Sequence, residues 1–280
     1  MAFRYQLLAT LGRGGMADIY LAVARRSLGF SKLVVLKHLR SYDDDQRTRD
    51  MFLDEARLAA RLSHPNIVDT YDVGLDGDAH FIAMEYLEGQ SLSRILRAVH
   101  HGQVSATAWA RIVADALRGL HYAHELCDYD GMPLEIVHRD ISPPNIFVTY
   151  GGEIKIVDFG IAKATLNSFH TEPGVFKGKI GYMAPEQVNG GVVDRRADIF
   201  SMGIVLWESL VGRRLLEGGI RHFLETEGSS PLPTVISVKP DVDPRLSRIV
   251  ERALAIDPRD RYATAAEMGE AVEAFLFDAP

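Results

Sequence analysis

Apolar and polar residues follow strand-like spacing in the first third of the chain and helical spacing in most of the remainder. Up to residue 87, short apolar runs are separated by turns, and one segment with helical spacing lies among them. The predicted strands are 3–11, 19–24, 33–36, 67–73 and 79–85, and the predicted helix is 43–62. Later helices are predicted over 105–126, 194–211, 244–255 and 264–276, with short strands at 146–149 and 154–157.

A boundary between two lobes is predicted at the run Met84–Gly89, where the strand pattern ends and helical patterns begin. We therefore expect an α+β fold in which residues 1–87 form a small strand-rich lobe and residues 88–280 form a mainly helical lobe. The segment 194–211 is apolar nearly all round, which predicts a helix buried inside the second lobe.

Composition narrows the classes of protein without naming a function. An apolar fraction of 47% and a charged fraction of 25% are ordinary for a globular protein. The net charge of −7, with no long basic run, argues against a nucleic-acid or anionic-membrane partner. Cys127 is the only cysteine, so we expect a reducing compartment such as the cytoplasm. The chain has no secretory signal pattern and no run of about 18 apolar residues, so no membrane segment is predicted.

The loop His138–Asn145 carries the first candidate chemistry. It offers the carboxylate of Asp140 and the carboxamide of Asn145, and two prolines between them stiffen the backbone. A carboxylate can take the proton of an attacking hydroxyl, and an asparagine carbonyl oxygen can bind a hard cation. The loop is therefore a candidate for hydroxyl activation beside a metal ion, if other parts of the chain supply further groups.

Glycines between the first two predicted strands supply a second candidate. The run Gly12–Ala17 lies between strands, whereas the glycines of a dinucleotide-binding motif are followed by a helix. This context suggests a flap of backbone over phosphates, and a plain hairpin turn is the alternative.

His121 and His124 are three residues apart on a predicted helix, but a metal site would need more ligands, so we interpret them as polar or packing residues.

Three further features complete the pattern: Lys37 ends the apolar run Val34–Lys37, Glu55 lies on the predicted helix 43–62, and Asp158-Phe159-Gly160 follows the last short strand. The order of all these motifs resembles the protein kinase superfamily, and within it the bacterial eukaryotic-like (Hanks-type) Ser/Thr kinases, over essentially the whole chain. The resemblance implies a bilobal fold with a small antiparallel β-sheet and one helix in the first lobe. It also implies that Lys37 holds the α- and β-phosphates and pairs with Glu55. Asp140 would be the catalytic base, and Asn145 and Asp158 would bind Mg²⁺, with Mn²⁺ as a substitute.

The resemblance further assigns the nucleotide site. Ala17 replaces the third glycine of the glycine-rich loop and is small enough to keep the flap. The base would contact the backbone of Glu85 and Leu87, with Met84 as the gatekeeper and Glu88 near the ribose. The full set of implied ATP-binding residues is Leu11, Gly12, Gly14, Ile19, Val35, Lys37, Met84, Glu85, Leu87, Glu88 and Phe147.

Three structural residues follow from the same resemblance. Ala184-Pro185-Glu186 would close the activation segment, and Glu186 would pair with Arg261. Asp198 would brace the catalytic loop from the buried helix. Arg139, directly before the catalytic Asp, would bind a phosphate on the activation segment.

The candidate phosphate acceptors lie in the hydroxyl-bearing segment 161–183. Thr171 is the first candidate, followed by Thr165 and Ser168, and each is equally interpretable as a plain loop hydroxyl. A loop of this length inside a compact domain usually has a function.

Two positions depart from the family pattern. Ser142 stands where the family usually has a lysine that contacts the γ-phosphate, and Lys179 stands where it usually has a threonine. In the family fold these two positions are neighbours. We hypothesise that Lys179 replaces the missing cation. The alternative is that Lys179 is a surface lysine and that the protein tolerates the absence of the family lysine at Ser142.

The resemblance implies an ATP-dependent protein kinase that phosphorylates protein hydroxyls, including its own, and it is compatible with a homodimer. A pseudokinase and a small-molecule phosphotransferase remain as alternatives. Intact Lys37, Glu55, Asp140, Asn145 and Asp158 argue against the first, and the Ala-Pro-Glu close argues against the second. Ser142 weakens the preference for Ser/Thr over Tyr, because tyrosine kinases also lack the lysine. Pro144, where kinases that prefer basic peptides often carry an acid, gives no indication of an Arg-rich substrate.

Overall fold

The first lobe is an antiparallel sheet with one helix. The computed structural model describes residues 5–13, 17–25, 31–40, 46–76, 79–99, 103–159, 180–227 and 232–279. The strands are β1 (Tyr5–Arg13), β2 (Ala17–Arg25), β3 (Ser31–Leu39), β4 (Thr70–Asp76) and β5 (Ala79–Glu85), and helix α1 (Gln46–Ala59) lies between β3 and β4. The strand order is β1-β2-β3-β5-β4, with every pair antiparallel.

Strand β3 separates a packing face from a functional face. Val34 and Leu36 are buried in an apolar cluster that includes Phe81 of β5. Because side chains alternate along a strand, Val35 and Lys37 project from the other face. The register sets Lys37 opposite Ile19 of β2 and opposite Ile82 of β5.

Helix α1 packs against that functional face. Phe52 and Ala56 are buried in a cluster with Ala17, Leu39 and Ile82 of the sheet. The predicted helix is confirmed, although its first predicted residues, 43–45, lie outside the described residues. Glu55 lies between Phe52 and Ala56 in sequence and is therefore carried toward the end of β3.

The second lobe is mainly helical, as predicted. Its elements are β6 (Gly89–Ser91), α2 (Leu92–Ala98), α3 (Ala106–His124), β7 (Ile146–Thr149), β8 (Ile154–Ile156), α4 (Pro185–Val188), α5 (Arg196–Val211), α6 (Gly219–Glu227), α7 (Val235–Val238), α8 (Pro244–Ala253) and α9 (Ala265–Asp278). Every residue of α5 from Ala197 to Val211 is buried, so the predicted central helix is confirmed. No helix within the described ranges is long and apolar enough to cross a membrane.

A three-stranded sheet, β6-β7-β8, positions the loop that precedes β7. Ile146 of β7 lies opposite Ile156 of β8, and the Val157 amide donates to the Asn145 carbonyl at 3.0 Å. Strand β6 lies against β7 so closely that a Cβ on Gly89 would fall 2.2 Å from the Val148 carbonyl oxygen. Only glycine fits there, and the close approach brings the chain leaving the first lobe onto the sheet.

The sequence pattern did not predict four short elements, β6, α4, α6 and α7. The three-residue strand and the four-residue helices α4 and α7 are too short to show a period. They exist because tertiary contacts stabilise them.

Candidate active site

Lys37 joins two acidic residues from different elements. Its Nζ lies 2.5 Å from Glu55 Oε1 of α1 and 3.1 Å from Asp158 Oδ1, which follows β8. The lysine and the glutamate are buried, whereas the Asp158 side chain is 44% exposed and can meet a ligand. Burial acts to lower the pKa of Lys37, but the charges of Asp158 and Glu55 outweigh it and raise the pKa above its ordinary value, so the ammonium stays charged.

Asp140 and Asn145 are tied together in the loop before β7. Both are buried, and the Asn145 amide Nδ2 donates to the Asp140 carbonyl at 2.9 Å and to its carboxylate Oδ2 at 3.0 Å. A short 3₁₀ turn, Pro143–Asn145, with its two prolines, holds this spacing. Because Nδ2 is engaged with Asp140, the amide is oriented by that residue and its carbonyl oxygen Oδ1 is the end that suits a cation.

The residues on either side of Asp158 bring it beside this loop. The His138 ring contacts the Phe159 ring at a centroid distance of 4.5 Å, and His138 Nε2 lies 3.2 Å from the Val157 carbonyl. Asp158 has a left-handed backbone with φ of 53°. This conformation, rare for a residue with a Cβ, turns the carboxylate toward Lys37.

Asp198, near the start of α5, supports the catalytic loop from below. Its carboxylate accepts the backbone N–H of His138 and of Arg139, each at 2.7 Å, and lies 2.8 Å from His124 Nε2. Asp198 is fully buried. A carboxylate is suited to this position because it only accepts hydrogen bonds and all three of these partners are nitrogens.

Glu186 and Arg261 form a buried, two-pronged ion pair, with Nη1–Oε1 at 2.7 Å and Nη2–Oε2 at 2.9 Å. The pairing is the one expected from the resemblance. The Arg261 side chain has no exposed area and also donates to the Ala255 and Ile256 carbonyls. The pair fixes α4, directly after the activation segment, to the C-terminal part of the lobe.

Several of the expected nucleotide-binding residues lie on strands β3, β5 and β7. Val35 lies on the same face of β3 as Lys37, and Met84 lies opposite it on β5. Phe147 is half-buried on β7, and Glu88 is exposed. The expectation for Glu85 concerns its backbone, and its side chain pairs with Lys155 of β8, with Oε2 2.8 Å from Nζ.

The short side chain of Ser142 cannot extend from the loop as a lysine side chain would. It is 1% exposed, and its hydroxyl donates to the Asp140 carbonyl at 3.3 Å. Lys179, Gly14 and the candidate acceptors Thr165, Ser168 and Thr171 lie outside the described residues.

Sequence reasoning missed several residues that support the site. Gln187 accepts from the Ala184 amide at 2.9 Å and donates to the Arg139 carbonyl at 3.1 Å, so it links α4 to the catalytic loop. The only signal in the sequence was its place after Ala-Pro-Glu. His124 is a buried polar residue, in agreement with its interpretation, but its partner Asp198 was not predicted, because no spacing rule indicates a contact over 74 residues.

Tyr182 heads a second missed group. Its hydroxyl donates to Glu208 Oε2 at 2.6 Å and accepts from Arg214. Burial and the neighbouring Glu208 carboxylate raise the pKa of Tyr182, and burial also raises the pKa of Glu208. The group connects the end of the activation segment to the end of α5.

Comparisons with known proteins agree with this geometry. The model of the protein kinase domain family matches residues 5–272. The chain is 42% identical to the tyrosine-protein kinase MasK of Myxococcus xanthus, over 97% of this chain and 43% of that protein. It is 36% identical to the serine/threonine-protein kinase PrkC of Bacillus subtilis, over 99% of this chain and 41% of that protein.

A solved structure is similar over almost its whole length. The kinase domain of Mycobacterium tuberculosis PknI covers 97% of this chain at 28% identity, with a TM-score of 0.71 and 96% of that domain matched. The chain spans about two-fifths of the length of the curated relatives MasK and PrkC. With a family model over nearly all of its residues and a matching fold, the chain belongs to the protein kinase domain family.

Proposed function

We propose that this chain is the catalytic domain of an ATP-dependent protein kinase that transfers the γ-phosphoryl group to serine and threonine hydroxyls of proteins. The observation that carries the proposal is the bridge from Lys37 to Glu55 and Asp158, beside the Asp140–Asn145 pair. It unites residues from both lobes in the arrangement that phosphoryl transfer requires.

Lys37 contributes positive charge where the phosphates bind. Its Nζ is charged and buried, and the two carboxylates hold it in one place. A preorganised cation in a low-dielectric site stabilises developing negative charge without reorganisation. Glu55 positions the lysine, and Asp158 connects it to the metal site.

Asp140 accepts the proton of the attacking hydroxyl. The Asn145 amide donates to one of its oxygens, Oδ2, which orients the carboxylate. Asp198 holds the backbone on which Asp140 is mounted, through the amides of the two residues that precede it. The hydroxyl of a bound substrate therefore meets a base whose position is fixed from two sides.

The donor set fits a magnesium ion. Asn145 supplies an amide carbonyl oxygen and Asp158 a carboxylate, both hard oxygen ligands, and the Val157–Asn145 backbone bond keeps the two segments adjacent. Two protein ligands are typical of Mg²⁺ sites that are completed by phosphates and water. When bound, the metal neutralises charge on the phosphate oxygens. Mn²⁺, with similar oxygen preference, would substitute.

The adenine site is proposed at the junction between β5 and β6. Glu85 and Leu87 would contact the base through their backbone, because the Glu85 side chain is engaged with Lys155. Val35, Ile19 and Leu11 would cover the base from the sheet, with Phe147 beneath. Gly12 and Gly14 would approach the phosphates, and Glu88 the ribose.

Autophosphorylation is proposed to order the activation segment. Arg139 is half-buried, and its backbone is held by Asp198 and Gln187, so its guanidinium is mounted on a fixed point. A phosphate on Thr171, or on Thr165 or Ser168, would pair with it.

The kinase would act in the cytoplasm on protein substrates, itself included, and a homodimer would allow one copy to phosphorylate the other.

Lys179 is proposed to supply the cation that Ser142 lacks. The Ser142 hydroxyl is directed to the Asp140 carbonyl, and a serine there brings no charge to the γ-phosphate. Replacing Lys179 with Ala in a protein that remains folded should lower kcat about 100-fold. Near-normal turnover would show that Lys179 is a surface lysine.

Tyrosine phosphorylation is the second candidate. Two observations favour it: MasK, 42% identical to this chain, is named as a tyrosine kinase, and Ser142 replaces the lysine typical of Ser/Thr kinases. PrkC and several further relatives are named as Ser/Thr kinases, which favours the first candidate.

A transfer assay separates these candidates. Wild type and Asp140→Asn are incubated with ATP and Mg²⁺ and a set of peptides that differ only in carrying Ser, Thr or Tyr as the acceptor. Labelling of Ser and Thr peptides by wild type alone supports the proposal, and labelling of Tyr peptides alone supports the second candidate. Nucleotide binding without any labelling would support a pseudokinase.

A further inference from the structure

A pocket opens beside the catalytic loop, on the side of the second lobe. Its volume is about 510 Å³, and it lies between α2, the loop residues Ser142–Pro144 and the end of α5. We call it the arginine pocket, because Arg97 of α2 and Arg213 and Arg214 after α5 line it. None of these arginines has a part in the transfer chemistry described above.

The pocket is within reach of a substrate bound for phosphorylation. Ser142 lines it and is two residues from Asp140, so their Cα atoms are at most about 7 Å apart. Tyr182, at the end of the activation segment, lines another side. A peptide whose hydroxyl meets Asp140 would therefore pass the pocket within about three residues of the acceptor.

The charge of the pocket is positive in a chain that is acidic overall. Three guanidinium groups line it, and among the described residues Glu208 is the one carboxylate that does so. That carboxylate is 5% exposed and accepts from the Tyr182 hydroxyl at 2.6 Å and from the Leu215 amide at 3.1 Å. Its Oε2 also lies 3.6 Å from Arg214 Nη1, so it offsets the charge of one of the three arginines and leaves those of Arg97 and Arg213. With a net charge of −7 for the whole chain, three arginines around one pocket form a local exception.

The arginines are held in position by the fold. Gly212, with φ of 78°, ends α5 and turns the chain so that Arg213 and Arg214 follow at the rim. Arg214 donates to the Tyr182 hydroxyl, and the Arg213 guanidinium lies 5.7 Å from the centre of the Trp207 ring. Arg97 donates to the Ser93 carbonyl at 3.1 Å. Positioned guanidinium groups lose less entropy when they bind an anion.

We propose that the arginine pocket binds an acidic side chain of the protein substrate, a carboxylate or a phosphorylated residue, close to the acceptor hydroxyl. This inference rests on the proposed kinase function and names the class of substrate for it. Guanidinium groups match carboxylate and phosphate oxygens in geometry and charge, and the same pocket repels lysine and arginine. Its volume accommodates either anion together with water.

Peptide pairs test the inference. A Ser peptide carrying a single Glu at each position within three residues of the acceptor is compared with matched Gln and Lys peptides, by kcat/KM. We expect one position at which Glu exceeds Gln about tenfold and Lys falls below Gln, the scale of a partly screened charge-assisted contact. A phosphoserine at that position should match or exceed Glu. Equal rates for Glu and Gln at every position would overturn the inference.

Variants link the preference to the pocket. Arg213→Gln should reduce the Glu-to-Gln ratio toward one, and Arg213→Glu should reverse it so that the Lys peptide is preferred. The reversal is a gain of function, so loss of folding cannot mimic it. Arg111→Gln, an exposed arginine on α3 that does not line the pocket, is the matched control and should keep the wild-type ratio. An unchanged ratio in Arg213→Glu would contradict the assignment.

The two proposals fail in different ways. If wild type labels no peptide of any composition, the kinase function itself is wrong. If it labels the peptides without regard to acidic residues, the kinase function stands and the arginine pocket is not the substrate site.

Discussion

Arg139 and Asp158 adopt left-handed backbone conformations, with φ of 63° and 53°. Each such residue with a Cβ costs on the order of 1 kcal/mol, so surrounding contacts must hold it. Both backbone polar groups of Arg139 are held, its amide by Asp198 and its carbonyl by Gln187. One of the two strained residues, Arg139, directly precedes the proposed base, and the other, Asp158, is a proposed metal ligand, so both lie where preorganisation is needed.

Replacing Lys37 with Met tests the charge at the phosphate site. The substitution keeps a long, unbranched side chain and removes the cation that faces Glu55 and Asp158. We expect kcat to fall at least about 100-fold, because a preorganised charge is lost. Lys32→Met is the matched control: Lys32 is an exposed lysine on the same strand and should leave turnover near the wild-type value. Equal effects of the two substitutions would contradict the account.

The raised pKa of Lys37 makes a pH prediction. A lysine whose folded pKa lies above its unfolded value of about 10.4 contributes stability that is fully present below that pH and lost as the pH rises through the folded pKa. The difference in free energy of unfolding between wild type and Lys37→Met should therefore be constant between about pH 7 and pH 9. Denaturant titrations at several pH values measure it, and a difference that shrinks within this range would mean that the lysine is neutral there.

At the scale of elements, α5 supports the catalytic loop through one residue. Asp198→Asn replaces one carboxylate oxygen by an NH₂ group, which cannot accept from both backbone amides and from His124. Since displacement of a catalytic group by about 1 Å can cost about 100-fold, we expect kcat to fall about 10- to 100-fold. The exposed Asp241→Asn should have no effect. Steady-state kinetics on both folded variants measure this difference. An unchanged kcat in Asp198→Asn would contradict the proposal that Asp198 supports the catalytic loop.

Helix α4 depends on the buried Glu186–Arg261 pair. Arg261→Gln leaves the Glu186 carboxylate buried without its cation, so we expect a loss of about 3–5 kcal/mol in the free energy of unfolding. Arg259, two residues earlier, pairs with Asp257 at the surface, and Arg259→Gln should cause no measurable change. Chemical denaturation of both variants measures the contrast. Similar losses would mean that burial of the pair contributes little.

The sequence predicted the long elements well because the hydrophobic pattern of each one can be recognised within its own residues. The stripe Phe52, Ala56 and Leu62 requires burial wherever the rest of the chain lies, and so does the segment 194–211, which is apolar nearly all round. The short α7 and β6 have no such pattern. The three residues of β6 become a strand because Gly89 lets them approach β7, a contact made across 60 residues of sequence.

At the scale of the whole molecule, the site is assembled from both lobes and the lobes are joined near it. Glu85 at the end of β5 pairs with Lys155 of β8, and Lys155 is buried. Backbone bonds link the segment after α1 to β8, from the Ile156 amide to the Asn66 carbonyl at 2.8 Å and from the Val68 amide to the Ile156 carbonyl at 3.0 Å. The proposed nucleotide contacts on β3 and β5 are therefore anchored to the strand that leads into Asp158.

Only part of the site could be predicted from the sequence. Lys37, Glu55, Asp140, Asn145 and Asp158 stand in recognisable motifs, so the resemblance predicts which residues meet. The Tyr182–Glu208–Arg214 group and the His124–Asp198 contact stand in no motif of that kind. They depend on where α5 lies relative to its neighbours, which the hydrophobic pattern does not specify.

The central claim is that the site transfers a phosphoryl group to protein hydroxyls, with Asp140 as the base and Lys37 as the cation at the phosphates. Mass spectrometry of wild type and Asp140→Asn, after incubation with ATP and Mg²⁺, tests it most directly, because it reports transfer and the acceptor residue together. The account predicts phosphorylated Ser or Thr residues, including one within 165–171, in wild type and none in Asp140→Asn. Equal phosphorylation of the two proteins, or none in wild type with any protein substrate, would contradict it.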